Sequence, residues 1–119
     1  MRTPDDPLSR IFAALADPTR RDILARLEPG AITVGELAGG YDMSGPAVSQ
    51  HLRVLEKAGL IERTVNAQWR VCSLRPDGMT DAAEWIAEHR GAWVERFDLL
   101  DKLLRQTDPA SAAQREEQP

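Results

Sequence analysis

The stretch Ser44–Leu60, SGPAVSQHLRVLEKAGL, constrains this chain more than any other. It predicts one short helix with a defined start, a defined stop and two chemically different faces. Ser44 has the side chain of an N-cap, Pro46 falls in the first turn, and Gly59 supplies the stop. Val48, Leu52 and Leu55 recur with helical spacing and make an apolar stripe. Ser49, Gln50, Arg53 and Lys57 fall on another side. Their hydroxyl, amide and cationic groups have the reach and bonding pattern for base edges and phosphates. A helix packed on one face and armed this way on the other suits the reading of DNA.

The flanking sequence supports that reading. Leu8, Ile11, Phe12 and Leu15 predict a first helix of two to three turns. Asp17-Pro18 restarts the chain, with Asp17 as cap and Pro18 at the first helical position. The second helix buries Ile23, Leu24 and Leu27 and ends at Pro29-Gly30. Thr33-Val34-Gly35-Glu36 has the spacing of a capping box and opens a short third helix that Gly39-Gly40 closes. Two short helices joined by a glycine-containing turn form a helix-turn-helix. Beyond Gly59, the segments 61–65 and 69–74 are rich in β-branched and aromatic residues. They predict a β-hairpin turning at Asn66-Ala67-Gln68, with Asn66 a residue that tolerates the left-handed conformation.

The last element is predicted from about Thr80 to Gln106, roughly 40 Å long at the helical rise. Ile86, Trp93 and Leu100 recur every seven residues, and Phe97, Leu103 and Leu104 widen the stripe. Asp98 with Lys102 and Asp101 with Arg105 add ion pairs along it. Such a stripe outlasts the body of a small domain and needs cover, part from the first helix and the rest from a second copy of the chain. The expected architecture is mainly α with a β-hairpin wing, about five helices, and a long dimer-forming last helix. Residues 1–107 are expected to form a single domain and residues 108–119 a disordered tail.

Composition bounds the function classes. The 119 residues suffice for one modest core. The net charge is −4, yet between Ser44 and Arg75 the cations Arg53, Lys57, Arg63, Arg70 and Arg75 outnumber Glu56 and Glu62. Phosphate neutralisation depends on that local surface. There is no secretory signal pattern and no membrane-length apolar run, so a cytoplasmic location with no membrane partner is expected. Cys72 is the only cysteine, expected to be buried in a strand, and His51 is expected to be packed. No Gly-rich phosphate loop, metal-ligand cluster or nucleophile with spaced His and acid points to an enzyme. No cofactor is expected.

ALADPTRRDILARL followed by VGELAGGYDMSGPAVSQHLRVLEKAGLIERTVNAQWRVCSL resembles the ArsR-type winged-helix transcriptional repressors. The SxHLxxLxxAGL core is present as Ser49, His51, Leu52, Leu55, Ala58, Gly59 and Leu60. The final helix resembles that of the subgroup related to the autorepressor SdpR. The resemblance implies a homodimer paired through the first and last helices, reading successive major grooves of double-stranded DNA. Thr33 and Gly35 occupy the positions where metal-sensing members carry a Cys-x-Cys pair, so no metal is expected.

The DNA-contact set expected from these arguments is Ser44, Ser49, Gln50, Arg53 and Lys57 on the helix, with Arg63, Gln68 and Arg70 on the wing. Trp69 is expected to pack within the hairpin. The expected dimer seam is Leu8, Ile11, Phe12, Trp85, Ile86, Trp93, Phe97, Leu100 and Leu104. The function implied is a repressor at a pseudo-palindromic operator, responding to an unspecified small-molecule or protein effector. The competing reading is a winged-helix module whose main partner is another protein.

Overall fold

The computed structural model describes residues 6–107. In chain order the elements are α1 (Pro7–Leu15), α2 (Pro18–Leu27), β1 (Ile32–Thr33), α3 (Val34–Gly39), α4 (Gly45–Lys57), β2 (Ile61–Asn66), β3 (Trp69–Leu74) and α5 (Thr80–Thr107). The expected tail from residue 108 lies outside the described residues.

Polar caps set the starts of the first four helices. The carboxylates of Asp6 and Asp17 accept from the Ser9 and Arg20 amides, each at 3.0 Å. The hydroxyls of Thr33 and Ser44 accept from the Glu36 and Ala47 amides, each at 3.2 Å. Each cap satisfies a backbone donor that the first helical turn leaves without a partner. The end of α4 is equally defined. The Leu60 amide donates to the Leu55 carbonyl and the Gly59 amide to the Glu56 carbonyl, each at 3.0 Å. Gly59 sits between them at φ 75°, the left-handed residue that this paired closure requires.

The helices converge on one core. Ile11 comes from α1, Ile23 and Leu27 from α2, Leu37 from α3, and Val48, Leu52 and Leu55 from α4. Ile61 and Cys72 close it from the sheet. Among the described residues no polar or charged side chain is buried.

The wing differs from the expected hairpin in two respects. It is a three-stranded antiparallel sheet in the order β1-β3-β2, with Ile32 opposite Cys72 and Thr33 opposite Val71. Thr33 therefore ends a strand and caps α3 at once. The turn also differs. Asn66 pairs with Trp69 inside the ladder, which leaves Ala67-Gln68 as a two-residue loop, and Ala67 rather than Asn66 takes the positive φ, 58°.

The chain divides into two compact units, residues 1–82 and 83–119. The first turn of α5 belongs to the first unit, where Ala82 is buried. The remainder of α5 carries a salt bridge from Arg105 to Asp101 at 3.0 Å, four residues apart. It also carries a stack of His89 on Trp85 with ring centroids 4.3 Å apart. Its 28 residues span about 42 Å. No helix among the described residues is long and apolar enough to cross a membrane.

Candidate nucleic-acid interface

The core determines which face α4 turns outward. Val48, Leu52 and Leu55 are buried, so the rotation of the helix about its axis is set by packing. Gln50, Arg53 and Lys57 are exposed as a consequence, and Ser49 is half-buried at the margin. Arg53 Nη2 donates to Gln50 Oε1 at 3.0 Å, one helical turn away. The pair presents a guanidinium and an amide side by side, the two groups best suited to guanine and adenine edges. Ser44 is exposed but its hydroxyl is engaged as the cap.

The wing register orders the next set. Arg63 lies opposite Cys72 and Val65 opposite Arg70. Directly opposed and alternate residues share a face, so Arg63, Val65, Arg70 and Cys72 point to one side of the sheet. That side looks toward α4, because Arg63 reaches Glu56 through two bonds, Nε to Oε2 at 3.3 Å and Nη2 to Oε1 at 3.0 Å. Arg63, expected as a wing contact to DNA, is half-buried and already engaged. Glu56 neutralises it, and Arg63 in turn holds the Glu56 carboxyl below its ordinary range. Arg70 and Gln68 are exposed nearer the tip. Trp69 points to the opposite face and is 58% exposed, bordering a shallow hollow with Thr33, Gly35 and Glu36. Packing within the hairpin does not cover it.

Two arginines that the sequence reading passed over fix the scaffold beneath α4. Arg20 and Arg21 lie in the first turns of α2, where the helix dipole disfavours cations. That misfit was the available signal. Both reach back to the end of α1, Arg20 to the Ala13 and Ala14 carbonyls at 2.9 Å and Arg21 to the Leu15 carbonyl at 2.7 Å. Arg20 also meets His51 Nδ1 at 3.2 Å. Arg26 closes the other end of the motif. It donates to the Leu37 and Glu36 carbonyls at 3.3 and 3.4 Å and lies over the Tyr41 ring at 5.2 Å. The Tyr41 hydroxyl donates to Asp22 at 2.6 Å, and burial, then this carboxylate, pushes its pKa up. The turn between α3 and α4 is pinned on both sides.

The expected dimer seam divides. Ile11 is 3% exposed and packs into its own core, so it has no surface left for a partner. Leu8 and Phe12 are half-buried. Trp85, Ile86, Trp93, Phe97, Leu100 and Leu104 on α5 all stay exposed, Phe97 the most at 67%. The positions open to a metal-binding pair offer no such donors. The Thr33 hydroxyl is the α3 cap, Gly35 has no side chain, and among the described residues no three Cys, His, Asp or Glu side chains converge. Burial pushes the Cys72 thiol up, away from the thiolate that metals and oxidants require.

A helix-turn-helix domain family matches residues 15–64, the segment from the end of α1 to the middle of β2. The transcriptional repressor SdpR of Bacillus subtilis is 34% identical over 79 residues, covering 66% of this chain and 88% of SdpR. The HTH-type transcriptional regulator Rv2034 of Mycobacterium tuberculosis is 47% identical over 78 residues, covering 66% of this chain and 69% of its own. A crystal structure of an ArsR family transcriptional regulator superposes with a TM-score of 0.69 at 40% identity, over 74% of this chain and 97% of that one.

The chain belongs to the ArsR family. It is a winged helix-turn-helix transcriptional regulator and not an enzyme. The family-model match ends at Thr64, so the wing tip and α5 lie beyond it. In this ArsR-family protein the residues that set the pose of α4 fall within the matched segment, and the exposed apolar face of α5 does not.

Proposed function

We propose that this ArsR-family regulator is a homodimeric repressor that reads a pseudo-palindromic operator with residues 44–58. The observation that carries the reading is the division of α4. Three buried aliphatic side chains lock its roll, and the Gln50–Arg53 pair and Lys57 stand on the face left in solvent. Gln50 and Arg53 take base edges, and Lys57 and the wing's Arg70 take phosphates. Ser44 and Ser49 supply hydroxyls at the start of the helix, and Gln68 stands at the wing tip. Arg63 reaches the backbone only if Glu56 releases it.

The second copy enters through α5. Its exposed face carries Ile86, Trp93, Phe97, Leu100 and Leu104, spaced for a long helix-on-helix seam. Pairing covers that face and places two reading helices about one turn of DNA, ~34–36 Å, apart or a multiple of it. An effector, whether small molecule or protein, relieves repression by changing that spacing.

A footprint on genomic fragments, followed by titration of Arg53→Ala, tests the reading. The expected result is a symmetric protected site and a loss of about tenfold or more in affinity, with the fold kept. Unchanged operator binding by Arg53→Ala refutes the assignment of the reading face. The exposed α5 face also supports a second reading, a module whose main partner is another protein. On that reading alanines across residues 44–58 are tolerated, and changes at Trp93 or Phe97 abolish function.

A further inference from the structure

Arg20 makes a three-way junction. Its Nε and Nη2 close the Ala14 and Ala13 carbonyls at the end of α1, and its own amide is held by Asp17 at the start of α2. The remaining arm, Nη1, lies 3.2 Å from His51 Nδ1 in the middle of α4. A guanidinium has donors only. His51 Nδ1 is therefore the acceptor, and the ring proton sits on Nε2. The contact is sheltered, with the His51 side chain 20% exposed. Asp17 Oδ2 stands 3.9 Å from the same nitrogen, so the junction is Asp17, Arg20 and His51 together.

His51 directly follows Gln50 and precedes Arg53 by two residues. The aliphatic stripe of α4 sets its roll, yet apolar contact is non-directional and tolerates slide along the axis. A hydrogen bond to a fixed fork does not. We propose that Arg20 is a positioning residue for DNA recognition. Through His51 it holds α4 at the slide and tilt at which Gln50 and Arg53 meet base edges. This rests on the reading of α4 as the DNA-contacting helix. The expected signature is selective. Phosphate contacts carry non-specific binding and survive a small slip of the helix, whereas base-edge contacts do not.

The test compares His51→Leu, which removes the acceptor, with His51→Asn, whose Oδ1 stands close to the lost Nδ1. Each is titrated against the footprinted operator and against a random-sequence duplex, with thermal unfolding alongside. His51→Leu should lose about tenfold in operator affinity, the scale of one good base contact, with random-duplex binding nearly unchanged. His51→Asn should recover most of the loss. Arg20→Lys, which keeps the charge without the fork, should behave like His51→Leu. If His51→Leu binds the operator like the wild type and Arg53→Ala does not, the positioning role falls alone. If both bind like the wild type, the reading of α4 falls and the positioning role with it. Should His51→Leu fail to fold, nitrogen NMR of the wild-type imidazole decides. A bare, hydrogen-bonded Nδ1 and a protonated Nε2 support the junction, and the opposite tautomer overturns it.

Discussion

Arg63 on β2 grips Glu56 on α4 through both arms of its guanidinium, at 3.3 and 3.0 Å. The pair joins the wing to α4 and withdraws one cation from the surface proposed to face DNA. Both partners are partly solvated, 26% and 40% exposed, so the link is worth no more than about 1 kcal/mol.

Glu56→Gln should therefore lower stability by less than about 1 kcal/mol at neutral pH. Arg63 depresses the folded-state pKa of Glu56 from its ordinary 4.5. The pair's contribution is present above that ordinary value and is lost as pH falls through the depressed one. The stability gap between wild type and variant should close over that acidic window, as read by urea unfolding. Freed from Glu56, Arg63 should add a phosphate contact and steepen the salt dependence of DNA binding by about one ion. A gap that persists at acid pH, or an unchanged salt slope, counts against this account.

Ala67 carries a left-handed backbone at φ 58° with a Cβ attached, an arrangement that costs about 1–2 kcal/mol in an L-residue. Ala67→Gly should raise the melting temperature, with a net gain near 1 kcal/mol once glycine's extra chain entropy is counted. Ala67→Val should lower it. Equal melting for all three would mean that the loop adopts another conformation in solution.

Two glycines should respond differently to a methyl group. At Gly78 an added Cβ meets the Gly59 carbonyl oxygen at 2.7 Å and Leu60 Cα at 3.0 Å, both backbone atoms. At Gly40 it meets Arg26 Nη1 at 2.5 Å, the far end of a side chain. Gly40→Ala should displace Arg26 from the Leu37 and Glu36 carbonyls, for about 1–2 kcal/mol. Gly78→Ala has no such escape and should cost the larger amount, about 2–3 kcal/mol. The reverse order in denaturant titrations would exclude this packing.

Cys72 is fully buried and its thiol is pushed up by burial. A thiol reagent should modify the folded protein only as fast as the sheet opens. Added urea should accelerate labelling in step with unfolding. Rapid labelling of the folded protein at neutral pH would contradict the burial of β3.

The α5 face gives a further expectation. Phe97→Glu should shift the sedimentation coefficient toward the monomer and leave the helix content intact. It should also weaken operator binding by removing the linkage between half-sites. A dimer that persists in this variant would place the seam elsewhere.

What the sequence disclosed and what it hid follows from range. The caps at Asp17, Thr33 and Ser44 act over three residues, so local spacing alone revealed them. The stripe of α4 was equally legible, because helical periodicity brings Val48, Leu52 and Leu55 together without outside help. β1 was missed because two residues carry no period of their own, and its partners Val71 and Cys72 lie far along the chain. Arg20 and Arg26 were missed because their acceptors are mostly backbone carbonyls, which no sequence distinguishes. The positive φ fell on Ala67 rather than Asn66 because the ladder runs through Asn66, and that register outweighs residue preference. At the candidate interface, helical spacing alone placed Gln50 and Arg53 on the outer face of α4, where both are exposed. Only the fold revealed that Arg63 is spoken for.

Because Thr33 ends β1 while it caps α3, length changes in the wing are unequal in effect. Residues inserted at Ala67-Gln68 lengthen a loop and leave both ladders in place. One residue inserted within β3 reverses the pleat, turning Cys72 outward and breaking the pairing that anchors the start of α3. The wing can therefore vary at its tip without disturbing either ladder. Its root, opposite Thr33, is tied to the helix-turn-helix and is not free to drift.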